Sequence, residues 1–301
     1  MLKENKLIVI GGPTASGKTT LSIDLSRHFN APILSCDSRQ FFREMNIGTA
    51  KPSSEELAQA PHHFINSLSI QDEYNVGTFE RDALNCLTHI YQQSSTAILV
   101  GGSGLYIQAV CDGLDVFPNV PRSIRDEVQK QYNQQGIQAL QTELQRLDPV
   151  YFAQVDQYNP HRLIRAISVC RASGQAFSSF FKQAKSTRPF EPIFILLEWE
   201  RAKLYERINL RVDQMMEHGL LEEARQLFPF KQQTALQTVG YQELFQYFEG
   251  MISLEEAIEL IKRNSRRYAK RQMTWFRRDR RWIAFDASNS TDILNFLEQK
   301  M

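Results

Sequence analysis

Cysteine is scarce in this 301-residue sequence: Cys36, Cys86, Cys111 and Cys170 stand far apart, and no C-x-x-C pair occurs. The six histidines include the neighbours His62 and His63, but none has ligand spacing beside a cysteine pair. These absences argue against a disulfide framework and a structural zinc site, and a reducing compartment is expected. Long apolar runs are also missing. Leu7–Ile10 is too short for the apolar region of a signal peptide, and nothing elsewhere approaches the roughly 18–20 apolar residues of a membrane span. A cytoplasmic protein without membrane association is expected. Internal repeats and low-complexity tails are absent as well.

Net charge is nearly absent too, at +1, and by itself predicts no partner. That value conceals an asymmetry. Lys262–Arg281 carries ten Lys or Arg and one acid, which leaves the rest of the chain net acidic. Apolar residues, at 42%, are plentiful enough for a real core, and the length suits one large or two ordinary domains.

Short β-rich runs at Leu7–Ile10, Pro32–Cys36, Thr96–Val100, Ile193–Leu197 and Trp282–Phe285 predict buried parallel strands. Helical stretches separate them, beginning with Lys18–His28. This alternation predicts an α/β fold with a parallel sheet flanked by helices, binding ligands at the carboxyl ends of its strands. Between Pro121 and Pro189 no strand is evident. Ser123–Gln135, Ile137–Leu147 and Asn159–Ser173 read as helices, the last with Asn159 as N-cap, Pro160 in the first turn and Gly174 past the end. The expected organisation is a core of 1–120 and 190–301 interrupted by an all-helical insertion, 121–189. Arg201–Phe228 is mostly helical, and Ser253–Phe276 is a long basic helix capped by Ser253.

Gly12-Pro13-Thr14-Ala15-Ser16-Gly17-Lys18-Thr19 matches G-x-x-x-x-G-K-[ST] and lies between a predicted strand and a predicted helix. Such a loop turns backbone N–H groups inward, adds the partial positive charge of a helix N-terminus, and supplies a lysine for phosphate oxygens. The Thr19 hydroxyl is a candidate ligand for Mg2+. A chance match in a chain this long is on the order of one in a hundred. A di- or triphosphate ligand is therefore expected, without its identity.

Asp37 directly follows the second strand, which places it at the rim that carries the phosphate loop. There it can hold Mg2+ through water or act as a general base, and an ordinary turn aspartate explains its position equally well. Gly101-Gly102-Ser103-Gly104 ends the third strand at the same rim. Its small residues admit close approach, and the Ser103 hydroxyl can hydrogen-bond a ligand; alone, the run is a weak signal and more often just a tight strand-to-helix turn.

Together GPTASGKT (12–19), DSRQFFREMNIGTAKP (37–52), GGSGLYI (101–107), NPHRLIRA (159–166), VGYQE (239–243) and RRYAKRQMTWFRRD (266–279) resemble the tRNA dimethylallyltransferases, in order and over nearly the whole chain. The family usually has Thr at the place of Ser103 and often Arg or Gln at that of His161. The resemblance implies transfer of a dimethylallyl group from dimethylallyl diphosphate to N6 of adenosine 37, the nucleoside 3′ of the tRNA anticodon. It implies that residues 12–19 hold the diphosphate with Mg2+ at Thr19, that Asp37 is the general base, and that Ser103 contacts the acceptor amine. Contacts to the tRNA anticodon stem-loop are implied for Asp37, Ser38, Arg39, Gln40, Ser103, Arg125, His161, Arg162, Leu163, Ile164, Arg165 and Gly240. A monomer is expected.

The basic helix can place Arg263, Arg267, Lys270 and Arg271 along one side, interleaved with Tyr268, Trp275 and Phe276, a pattern suited to RNA phosphates and unstacked bases. Some of these arginines are equally expected to face the diphosphate or to pair with acids, and Arg207 and Arg211 are similar candidates. A kinase or ATPase explains the phosphate loop alone. An adenylate prenyltransferase explains the loop and Asp37 but not the basic helix, and a non-catalytic RNA-binding module leaves the loop unexplained.

Overall fold

The computed structural model describes residues 5–181 and 186–301; the first four residues, and 182–185 of the expected insertion, lie outside the described residues. In chain order the elements are β1 (Lys6–Gly11), α1 (Lys18–Phe29), β2 (Ile33–Ser35), α2 (Ser54–Leu57), β3 (His62–His63), α3 (Val76–Ile90), β4 (Thr96–Gly101) and α4 (Gly104–Asp112). The helices α5 (Arg122–Leu147), α6 (Pro149–Phe152) and α7 (Pro160–Ser173) follow. The chain then runs through β5 (Glu191–Glu198), α8 (Arg201–Glu217), α9 (Leu220–Leu227), α10 (Tyr241–Phe248), α11 (Leu254–Phe276), β6 (Ile283–Asp286) and α12 (Ser290–Glu298).

The six strands are parallel, in the order β3-β2-β4-β1-β5-β6. β1 is central because all of Leu7–Ile10 is apolar and a strand's side chains alternate between faces. Leu7 and Val9 enter a core with Phe41, Phe79 and Phe276, while Ile8 and Ile10 enter another with Leu21, Leu25 and Ile293. Ile8 pairs with Ile98 of β4 on one side and Ile193 of β5 on the other. All five expected strands are present, and the sheet is α/β as the alternation implied. β3 escapes the apolar-run criterion because it is a two-residue edge strand built from histidines.

The chain divides into two compact units, one running to Asp112 and resuming at Thr187, the other Gly113–Ser186. The second unit starts ahead of the expected boundary at 121 because Phe117 and Val120 pack on its core. The first unit resumes before 189 because Arg188 is bound to it, donating to Glu80 and to the Ala109 carbonyl. Within the second unit every described element is helical. Gly136 breaks α5 with φ 74°, where the sequence predicts two helices. The α7 caps are those expected: Asn159 accepts from the Arg162 N–H, and Gly174 closes the helix at φ 69°. No helix among the described residues is long and apolar enough to cross a membrane.

Candidate active site

The phosphate loop leaves β1 at Gly11 and enters α1 at Lys18. Ala15 and Gly17 lie in the left-handed region, at φ 62° and 91°. Two carbonyls of this turn are held by side chains from outside the loop. Arg207 Nε donates to the Ala15 carbonyl (2.9 Å), and Trp199 Nε1 donates to that of Ser16 (3.1 Å). With these two carbonyls engaged, the N–H groups of Ala15, Gly17, Lys18 and Thr19 have no protein acceptor among the described residues, which is the arrangement of an anion nest. Thr14 departs from the expected donor set, because its N–H donates to Gln272 Oε1 at 2.9 Å.

Lys18 Nζ donates to the Pro13 carbonyl at 2.6 Å and curls over the loop. Burial and the nearby Arg211 guanidinium bring its pKa down to about 8, against the opposing pull of Asp37. Two cations held this near each other and partly withdrawn from water are costly without an anion, so the loop is electrostatically suited to one.

Asp37 follows β2 at the same rim, where the Cys36 N–H still bonds the Val100 carbonyl of β4 at 2.8 Å. Its Oδ1 accepts the Arg39 N–H at 2.9 Å, so it closes a turn. It also borders two cavities. The smaller, about 40 Å³, brings it together with Lys18 and Thr19. The larger, about 360 Å³, is lined by Thr14, Asp37, Arg211, Gly240, Tyr268 and Arg271 among others. Turn chemistry and a place beside the phosphate loop are thus compatible. Ser103 Oγ lies 3.3 Å from the Ser38 N–H and 3.4 Å from the Ser38 hydroxyl, so these two expected site residues meet.

The structure bears on three further expectations and corrects the last of them. The glycines at 101–104 make room for protein: a methyl at Gly101 would meet Cys36 Sγ, one at Gly102 would meet Gln272, and one at Gly104 would meet the Trp275 indole. Gln40 accepts from Ser35 and donates to the carbonyls of Thr49 and Ala50, which fixes its amide while it lines the smaller cavity with Asp37. Leu163 is fully buried in the core of the helical unit, and Ile164 packs partly against that core. At i and i+3/i+4 from Ala166 and Ile167, Leu163 falls on the apolar stripe of α7. Its side chain cannot be an RNA contact.

In that same unit Arg125, His161, Arg162 and Arg165 are exposed, and Arg165 lies over the Phe117 ring at 5.1 Å. The basic segment near the C-terminus is divided. Lys262 pairs with Asp213 (2.7 Å), Arg266 with Asn209 (2.5 Å), Arg277 with Glu198 (3.1 Å), and Arg281 with Asp112 and Asp279. Arg263, Arg267, Lys270 and Arg271 remain exposed, and Arg271 lines the larger cavity beside Tyr268. Arg207 and Arg211 of α8 are the guanidinium groups closest in role to the phosphate loop, one bonded to it and the other felt by both Lys18 and Asp37.

Gln272, Trp199 and Glu223 went unnoticed in the sequence. Glu223 accepts the N–H groups of Asn46, Ile47 and Gly48 and the Tyr241 hydroxyl, fixing the segment that follows Asp37. Gln272 had a readable signal, since it interrupts the buried stripe Ala257, Ile261, Ala269, Phe276 of α11. A polar side chain on such a stripe needs partners.

The sequence pattern of the IPP transferase family matches residues 40–279. The chain is 52% identical to the tRNA dimethylallyltransferase of Christiangramia forsetii, over 99% of both chains. It is 49% identical to that of Flavobacterium psychrophilum, again over 99% of each. Among solved structures, the full-length tRNA isopentenylpyrophosphate transferase of Bacillus halodurans is similar with a TM-score of 0.74 and 37% identity, covering 98% of this chain and 96% of that one. A eukaryotic dimethylallyltransferase acting on tRNA is similar with a TM-score of 0.80 at 27% identity, covering 94% and 74%.

Proposed function

The chain belongs to the IPP transferase family and is a tRNA-modifying prenyltransferase, and from that premise we propose that it joins the dimethylallyl group of dimethylallyl diphosphate to N6 of adenosine 37 in the tRNA anticodon loop. The observation that carries this reading is the position of Asp37, which borders both the pocket beside Lys18 and Thr19 and the larger cavity reached past Gly240 and Arg271. A carboxylate between an anion nest and an open cavity is placed to take a proton from an amine while a phosphate leaves.

The reaction forms a bond from N6 to the allylic C1 and breaks the bond from C1 to the diphosphate oxygen. The electron pair of that bond leaves with diphosphate, and the N6 proton passes to Asp37. The exocyclic amine is a weak nucleophile because its lone pair is delocalised into the ring, so proton removal during bond formation matters. Negative charge grows on the departing group, and fixed N–H donors with Lys18 and Arg211 hold it more strongly in the transition state than in the ground state. Ser103, beside Ser38, orients the amine. The acceptor base has to leave the anticodon stack to reach a rim enclosed on this side by α11.

No group of three or more His, Cys, Asp or Glu side chains among the described residues forms a metal cage. That donor set fits Mg2+ held chiefly by phosphate oxygens and water, with the Thr19 hydroxyl as protein ligand. When bound, the ion offsets diphosphate charge. The exposed Arg125, His161, Arg162 and Arg165 supply an RNA-facing surface on the helical unit. The enzyme is taken to act as a monomer in the cytoplasm, where tRNA is found.

The test is transfer of radiolabelled dimethylallyl diphosphate, with Mg2+, to unmodified tRNA, to AMP and to water. Label on tRNA alone is expected, and nuclease digestion should place it on adenosine 37. Label on AMP would replace this reading with an adenylate prenyltransferase. No transfer, with ATP hydrolysis instead, would return the loop to a kinase or ATPase role.

A further inference from the structure

One side chain connects the loop assigned to the donor with the loop assigned to the acceptor. Gln272, buried on α11, accepts the Thr14 N–H through Oε1 at 2.9 Å and donates from Nε2 to the Gly102 carbonyl at 3.0 Å. Thr14 belongs to the phosphate loop, and Gly102 immediately precedes Ser103. The partners fix the orientation of the amide, because an N–H can only donate and a carbonyl can only accept. Space gives a second, independent indication. A methyl group at Gly102 would stand 2.1 Å from Gln272 Nε2, so the backbone comes this close only because residue 102 has no side chain. The Gly12 carbonyl lies 3.5 Å from the same point, so the two loops approach one another where the amide bridges them.

We infer that Gln272 is a positioning residue that sets the separation between the diphosphate loop and the Ser103 loop, and so aligns the allylic C1 with the acceptor amine. The inference rests on the transfer reaction proposed above. Gln272 touches neither substrate. Its effect is on alignment, and a misplacement on the order of 1 Å can cost about 10²-fold in rate. Each substrate meets its own loop, so each still binds when the bridge is lost.

Three proteins decide the matter: the native enzyme, Gln272→Met and Gln272→Glu. Methionine keeps the length of the side chain and removes both hydrogen bonds. Gln272→Met is expected to lower kcat by about 10- to 100-fold, with KM for tRNA and for dimethylallyl diphosphate each within about threefold of native. Gln272→Glu adds a signature that a purely structural role does not produce. Ionised, its carboxylate faces the Gly102 carbonyl with no proton to donate; protonated, it reproduces the glutamine pattern with a hydroxyl in place of the amide N–H. Burial raises the pKa of such a carboxyl. The ratio of its kcat to that of the native enzyme is therefore expected to rise as pH falls from 8 to 6. Taking the ratio at each pH sets aside titrations that both proteins share, such as that of Lys18.

A native-like kcat in Gln272→Met would overturn the inference, as would a large rise in only one KM. A pH-independent ratio for Gln272→Glu, with kcat per folded molecule otherwise reduced, would assign the residue to packing alone. Circular dichroism and thermal melting supply the folded fraction. If the native enzyme itself fails to label tRNA, the proposed function fails instead, so the two failures are distinguishable.

Discussion

Lys18 offers the sharpest quantitative test of the donor site. With its pKa brought down to about 8, it titrates where an ordinary lysine, near 10.4, does not. By simple titration it is roughly 90% charged at pH 7 and roughly 10% at pH 9. An arriving diphosphate restores the charged form, since opposite charge within a few ångströms favours it. Binding that requires the proton should therefore weaken by roughly tenfold between pH 7 and 9, equal to about 1.4 kcal/mol. The sign follows from linkage: the complex holds more protons than the free protein across this window, so affinity falls as pH rises. Calorimetric titration with dimethylallyl diphosphate and Mg2+ at both pH values measures the slope. Lys18→Arg is the control, because a guanidinium stays charged throughout. Its slope should be nearly flat whatever its absolute affinity. The ligand's own titration is common to both proteins, and so is that of Lys51, which burial also brings to about 8. Equal slopes in the two proteins would refute the reasoning, showing that the proton on Lys18 is not coupled to the anion.

Asp37→Asn keeps the turn bond to the Arg39 N–H but removes the base, so kcat should fall about 10²- to 10⁴-fold while filter-binding affinity for tRNA stays within a few-fold; normal turnover would sink the general-base role. Leu163→Ala should destabilise the helical unit by about 2–5 kcal/mol in thermal or urea melts, whereas Arg162→Ala should leave the melt unchanged and weaken tRNA binding. If Leu163→Ala proved as stable as native and selectively weak for tRNA, its placement in the core would be wrong. Gly48→Ala should cost about 1–3 kcal/mol, since the added methyl would stand 2.6 Å from the buried Tyr241 ring that Glu223 holds in place. A melting temperature equal to native would contradict that contact.

Local patterns determined the framework of this protein. Leu7–Ile10 had to be a strand covered on both faces, because four consecutive apolar residues in a period-two element leave neither face for water. Residues 12–19 had to be a tight turn between β1 and α1, since their glycines act through backbone geometry that a motif can encode. Asn159, Pro160 and Gly174 marked the ends of α7 for the same local reason. Tertiary structure alone decided which side chains serve the site. Gln40 reads as a site residue in its motif, and its amide is fixed by Ser35, Thr49 and Ala50, whereas Leu163 lies between two exposed arginines in α7 while facing the core. Arg277 and Arg281 belong to the cationic run but are held by Glu198 and Asp112, which lie far away in sequence. The tie from Gln272 to Thr14 and Gly102 spans 258 and 170 positions, and no local pattern carries information over such separations. Propensity and motif act through neighbours along the chain, whereas hydrogen-bond partners and burial are set by which surfaces meet once the sheet has brought its strand ends to one rim.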